Sequence, residues 1–296
     1  MFNKVMIGID EQQGGSDAIA LARQLVSDDG QLSLAHVHGG FPLVGRGYNA
    51  DFEASERDRA ETLLSRIAAE GGVPSTHCIG ATSVGRGLHQ LAETNGADLL
   101  VIGSTHRGLL GRVLVGDDTR DALNGAPCAV AVAPAGYARN PTPFGEIGVA
   151  FNGSFESRHA VEVARDLAAD CEAKVSAFEA VAFPAYMYSG LAGGIPVLSD
   201  TSVDEARSRI AELRGVEAHA AFGDPAEELA LYSASLDLLV VGSRDYGPAG
   251  RLVHGSTTHR LARLARCPLL VLTRAARAAD ASSPILDDRR ALAGAA

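Results

Sequence analysis

Four cysteines are spread through 296 residues, and no two of them make a CxxC pair. Cys78, Cys128, Cys171 and Cys267 therefore form neither a disulfide framework nor a zinc-ligand spacing, and this usage suits a reducing compartment. Basic residues are also scarce: 26 Lys and Arg stand against 36 Asp and Glu, a formal net charge of −10. No Lys/Arg run breaks that balance, so the basic stripe that nucleic-acid binding needs is missing. No apolar run approaches the ~18 residues of a membrane-spanning helix. The opening MFNKVMIGID carries no long apolar core followed by a cleavage site, so no signal peptide is expected. A Ser–His–Asp order and a nucleophile elbow are both absent. What remains is the expectation of a cytoplasmic globular protein that binds neither nucleic acid nor membrane. Its 46% hydrophobic and 21% charged residues fit that class.

The length suggests two domains of ordinary size, and the chain is in fact written twice. ADLLVIGSTHRGLLGRVLVGDDTRDALNGAPCAVAVA, from Ala97 to Ala133, aligns without a gap on LDLLVVGSRDYGPAGRLVHGSTTHRLARLARCPLLVL, from Leu236 to Leu272. The offset is 139 throughout and pairs Asp98 with Asp237, Gly103 with Gly242, Gly116 with Gly255 and Cys128 with Cys267. Nearer the start of each copy, VMIGIDEQQGGSDAIALARQLV matches IGVAFNGSFESRHAVEVARDLA at an offset of 142. A repeat of this length is a whole domain rather than a solenoid turn. The boundaries follow: a first domain over 1–135, a linker over 136–144 within PAGYARNPTPFG, a second domain over 145–274, and a tail over 275–296 without a counterpart in copy one.

Each copy alternates short apolar runs with amphipathic stretches. KVMIGID, QLSLAHVH, STHCIG, DLLVIG and CAVAVA read as strands; SDAIALARQLV, DFEASERDRAETLLSRIAAE, VGRGLHQLAET and TRDALNG read as helices. Alternating βα units imply a parallel sheet with helices on both faces, joined by right-handed crossovers. GGFPLVGRGYNA and FPAYMYSGLAGGIPVLSD both follow a second strand and read as long loops. The last strands, CAVAVA and PLLVLT, are short and apolar and would lie at a sheet edge, which calls for a partner. The two copies are expected to pair through them, and a homodimer is a further expectation.

In an open α/β sheet a ligand binds at the carboxyl ends of the strands. Asp10 ends the first strand and Gly103 the fourth. The stretch GSTHRGLLGRVLVGDD then runs from Gly103 into a helix whose free amides suit an anion. The same glycines also serve a tight turn and close helix–strand packing, and spacing alone does not separate the two.

The two copies, each closing in "DLL-V-hydrophobic-GS … G … PC-apolar strand", resemble the universal stress protein family in its tandem form, over nearly the whole chain except the tail. The resemblance implies two adenine nucleotide alpha-hydrolase-like domains, each a doubly wound sheet of five mainly parallel strands in an order like 3-2-1-4-5. Some members of that family bind ATP; they carry Gly-two-any-Gly-nine-any-Gly-Ser/Thr after the fourth strand and an Asp ending the first. Carried over to this chain, copy one has Asp10, Val37 as a base contact, Gly103, His106 in place of the second Gly, Gly116, and Asp117 in place of Ser/Thr. Copy two has Asn152 in place of the Asp, then Gly242, Asp245 in place of the second Gly, Gly255, Ser256 and Thr257.

Neither copy keeps the whole pattern. Asp117 would stand at a helix start, where its own carboxylate competes with a phosphate. Asp245 would repel one by about 4 kcal/mol at ~4 Å and an effective dielectric near 20, unless Mg2+ bridged the two. The implied function is a stress-response module binding ATP or a related adenine nucleotide, with at most weak ATP hydrolysis. The other reading is an interaction module without nucleotide, presenting the loops at Pro42 and Tyr186. His36 and His38, two apart on one strand, could chelate a metal or be an ordinary strand-end pair. His106 could serve as an acid or be a turn residue.

Overall fold

The computed structural model describes residues 1–10, 14–39, 50–104, 117–182, 201–243 and 256–272. The tail over 275–296 and the loops holding Pro42 and Tyr186 lie outside them. Copy one runs β1 (Phe2–Gly8), α1 (Gly14–Leu25), β2 (Val26–Gly39), α2 (Ala50–Gly71), β3 (Ser75–Ala81), α3 (Val84–Asn95), β4 (Leu99–Gly103), α4 (Asp117–Leu123) and β5 (Ala129–Ala133). Copy two repeats the series as β6 (Glu146–Ala150), α5 (Phe155–Cys171), β7 (Lys174–Val181), α6 (Thr201–Ala211), β8 (Glu217–Phe222), α7 (Pro225–Tyr232), β9 (Leu238–Gly242), α8 (Ser256–Leu264) and β10 (Leu269–Leu272). Local signals place the helix ends. Ser83 and Ser154 accept amide hydrogen bonds at the starts of α3 and α5, and Gly96 closes α3 in the left-handed region at φ 62.

The ten strands form one sheet in the order β3-β2-β1-β4-β5-β10-β9-β6-β7-β8. Within each copy that is the doubly wound 3-2-1-4-5 order, with parallel neighbours. Only β5 and β10 pair antiparallel. Their register joins Leu269 to Val132, Leu270 to Ala131 and Val271 to Val130. Ala131 and Leu270 are equivalent positions of the repeat, so the register turns about that pair as a local two-fold axis requires.

Strand side chains alternate between two apolar layers, each continuous across the join. One holds Ile7, Leu99, Val101 and Ala131 together with Ile147, Val240 and Leu270. The other holds Met6, Leu100 and Val132 together with Leu239, Leu261 and Val271. Polar groups at the strand entries repeat as well. Asp98 accepts from the amides of Asn3 and Lys4 at 2.8 and 2.9 Å, and Asp237 accepts from Gly145 and Glu146, each at 2.9 Å. Each carboxylate thereby fixes the start of a central strand beside its own.

Two features depart from the sequence pattern. β2 begins at Val26, directly after α1, because Val26 pairs with Phe2 before the register shifts towards Lys4–Gln31. The linker is also docked on copy one. Buried Asp17 of α1 accepts from Gly136 at 2.8 Å and Ala138 at 2.7 Å, and Gln24 donates to the Tyr137 hydroxyl at 2.7 Å. The copy-two counterpart of Asp17 is His159.

Candidate functional site

The doubly wound order puts the carboxyl ends of β1 and β4 side by side at the point where the strand order reverses. In copy one a cavity of about 110 Å3 opens there, lined by Asp10, Val37 and Gly103 among others. Three of the residues singled out from sequence therefore meet in one place. Ile9, Leu88, Ile102 and Ala122 give it apolar walls, and Thr119 of α4 adds a hydroxyl-bearing side chain from a buried position. The volume is well below the ~300–1,000 Å3 of pockets that enclose drug-sized ligands. It suits one ring system, with the rest of a ligand outside. His106 and Gly116 lie outside the described residues. Asp117 is the first residue of α4.

The cavity depends on small side chains. A Cβ on Gly8 would sit 3.0 Å from the Ile102 side chain and 3.4 Å from Leu88. A Cβ on Gly87 would meet the Val37 side chain at 2.7 Å, so α3 approaches β2 as closely as it does only with glycine there.

Copy two is built differently at the matching positions. Ala150 stands for Gly8, and fully buried Leu261 for Ala122. Serines Ser33 and Ser176 hold the same register against β1 and β6, so Phe178 stands for Ala35, Glu179 for His36 and Ala180 for Val37. The Phe178 ring stacks on Tyr232 at 5.0 Å, and His219 meets the same ring at 5.7 Å. Burial pushes the Tyr232 hydroxyl up to about 12, despite its hydrogen bond with Ser176. Asn152 spends its amide oxygen on the Ser154 amide at 3.1 Å. Gly242 ends β9 where a Cβ would stand 2.5 Å from the Glu156 carbonyl, so that glycine answers a packing demand. Gly255 lies outside the described residues, Ser256 begins α8, and Thr257 is half-buried in its first turn.

The remaining candidates separate. His36 is buried, with Nδ1 2.7 Å from the Ile9 carbonyl. His38 is buried beside Gly80, and its Nε2 has no partner among the described residues. No group of three metal-ligating side chains occurs among the described residues. Cys128 and Cys267 are buried; desolvation pushes the Cys128 thiol up to about 12 and Cys267 in the same direction, with the nearby Asp98 and Asp237 adding to it. Neutral, inert thiols suit packing rather than chemistry.

Sequence reasoning missed Thr119, Ala122 and Gly8. The alignment at an offset of 139 already displayed Ala122 against Leu261 and Thr119 against Thr258, but only the fold says which pairs face a cavity. It also missed the structural role of Asp98 and Asp237, although their identity across the copies was visible.

No helix among the described residues is long and apolar enough to cross a membrane. A model of the universal stress protein family matches residues 1–134 and again 143–273. A universal stress protein of Mycobacterium tuberculosis is 32% identical over 244 residues, covering 78% of this chain and 76% of the relative. One from Bacillus subtilis is 27% identical over 147 residues, 44% of this chain and 99% of the relative. The crystal structure of a universal stress protein from Archaeoglobus fulgidus superposes with a TM-score of 0.66 at 15% identity, over 92% of this chain and 98% of that one. Two matches of the family model, one to each copy of a doubly wound domain, place this chain in the universal stress protein family.

Proposed function

We propose that this chain is a cytoplasmic adenine-nucleotide module in which copy one binds and copy two supports. The observation that carries the reading is the cavity at Asp10, Val37 and Gly103, set against the larger side chains Ala150 and Leu261 in copy two. An adenine ring fits a ring-sized apolar slot between β2, α3 and α4. The Asp10 carboxylate at its rim is a hydrogen-bond acceptor for ribose hydroxyls. The polyphosphate would extend towards the start of α4, and Mg2+ would offset the carboxylates of Asp117 and Asp118. At most weak hydrolysis goes with this reading.

Calorimetry with ATP and Mg2+ tests this. One site per chain is expected, weakened at least tenfold by Asp10→Ala and unchanged by Asn152→Ala. Gly8→Ala copies the copy-two residue and should weaken binding without unfolding the protein. A flat titration refutes nucleotide binding; equal loss from Asp10→Ala and Asn152→Ala refutes the division of labour.

The larger side chains Ala150, Phe178 and Leu261 at the strand ends of copy two favour a second role beside this one. This half serves as a platform, for a homodimer or for another partner. Sedimentation at several protein concentrations reads the dimer directly.

A further inference from the structure

A groove of about 880 Å3 runs along the outer side of copy one, between α1 and α2, with Pro141 and Pro143 of the linker as part of its wall. It follows one face of α1 from Gly15 to Gln24, a length of about 14 Å. Ile19, Leu63 and Ile67 make an apolar floor, and Arg23 and Arg66 enter from the two helices. Copy two shows what the same surface does when it is self-sufficient. There Arg209, the counterpart of Arg66 within the shared SRIA, is gripped by Glu179, with Nη2 to Oε1 at 2.7 Å and Nε to Oε2 at 3.4 Å. Copy one keeps the arginine but has His36 where Glu179 stands.

The change is not confined to that pair. Arg23 and Arg66 match Arg165 and Arg209, so both cations are retained. Glu162, Asp166 and Glu179 have become Ala20, Gln24 and His36; two acids are gained, Asp10 for Asn152 and Glu70 for Leu213, and Arg158 has become Ser16. The groove also holds Asp10 and Glu70. Arg23 uses one guanidinium nitrogen on the Gly71 carbonyl, as Arg165 does on Arg214. Its fork has further donors, and Arg66 faces the groove without the carboxylate its twin has.

We propose that this groove, which adjoins the strand-end cavity at Asp10, is a second ligand site, for an amphipathic carboxylate. The ligand's carboxylate takes on Arg66 the place that Glu179 takes on Arg209, and its apolar body lies on Ile19, Leu63 and Ile67. Snorkelling arginine stems along an apolar floor suit such a ligand, and a planar guanidinium suits a carboxylate in bidentate geometry. Because Pro141 and Pro143 belong to the segment joining the copies, an occupant also touches the linker.

Decanoate, titrated calorimetrically into the full-length protein below its micelle concentration, is the probe. Saturable binding is expected, with decanol at least tenfold weaker. Arg66→Gln should weaken decanoate about tenfold. Ala20→Glu, which restores an acid that copy two carries on an outward-facing helix position, should weaken it as well and keeps the test available if Arg66→Gln fails to fold. Circular dichroism melts check that each variant is native. Absence of decanoate binding, equal binding of decanol, or unchanged affinity in both variants overturns the proposal.

Discussion

Asp17→Ala removes the carboxylate that holds the linker, and the structure allows its cost to be worked out. Asp17 is 3% exposed and accepts two backbone amides, Gly136 at 2.8 Å and Ala138 at 2.7 Å, across more than a hundred residues of chain. A hydrogen bond to a charged group contributes about 1.5–3 kcal/mol. The two amides are only half-buried, so water recovers part of that sum, and a net loss of about 2–3 kcal/mol follows. For a cooperative unit of this size each kcal/mol moves Tm by about 2–4 °C, giving a fall of about 5–10 °C by differential scanning calorimetry. Asp17→Asn keeps one acceptor oxygen and should lose about half as much. The clamp also protects the short 3-10 turn Tyr137–Arg139, whose Arg139 is exposed. Trypsin should therefore cut after Arg139 faster in Asp17→Ala than in the parent. A Tm within about 1 °C of the parent, with an unchanged cleavage rate, would show that the linker is held by its proline-rich packing instead.

Three other perturbations follow from the same structure. Ala131 and Leu270 face each other at the local two-fold, both fully buried. Leu270→Ala should cost about 2–5 kcal/mol and Ala131→Leu about 1–3 kcal/mol; the double variant should recover at least 1 kcal/mol of that sum in denaturant melts, since the two share one volume. At high pH, the Cys128 thiol keeps its proton to about 12 and the half-buried Tyr137 and Tyr232 hydroxyls to about 12. The unfolded chain loses these protons earlier, so stability is level below the unfolded thiol value and declines above it, by about 1.4 kcal/mol per pH unit per group. Cys128→Ala should make the urea-midpoint decline between pH 9 and 11 shallower, and an identical slope refutes the attribution. At low pH the sign reverses for Asp224. Its partial burial raises its pKa, but hydrogen bonds from Arg260 and from the amides of Glu227 and Ala226 outweigh that and hold it below the ordinary carboxylate range. This stabilisation is present above the unfolded carboxylate value and lost as pH falls through the folded one. The ion pair is exposed, so Arg260→Gln should make the acid-side decline of the urea midpoint only slightly shallower, and a large change refutes the attribution.

The sequence made the fold legible because its two signals are local and repeated. Apolar runs such as DLLVIG and amphipathic stretches such as VGRGLHQLAET announce their own period, and a second copy at a constant offset guards each assignment. That Asp10, Val37 and Gly103 line one cavity was legible because strand ends converge in this topology whatever the side chains. What escaped depends on distances between residues far apart in the chain. Nothing near Asp17 in sequence says that it meets Gly136, and its counterpart His159 gives no hint of a clamp. Nor does a list of loop substitutions at His106, Asp117, Asp245 and Asn152 rank the two copies, since each loses part of the pattern. The ranking comes instead from positions that no motif covers. Gly8 against Ala150 and Ala122 against Leu261 differ by one to three carbons, which is ordinary drift in a helix or strand until both prove to face the same ring-sized space. The groove between α1 and α2 follows the same logic. His36 against Glu179 is an unremarkable exchange in an alignment, and it becomes a statement about Arg66 only because Arg209 grips Glu179 in the other copy. In a tandem protein each copy is thus a control for the other: shared residues such as Asp98 and Asp237 mark what folding requires, and retained cations that have lost their acids mark where a ligand can supply the charge.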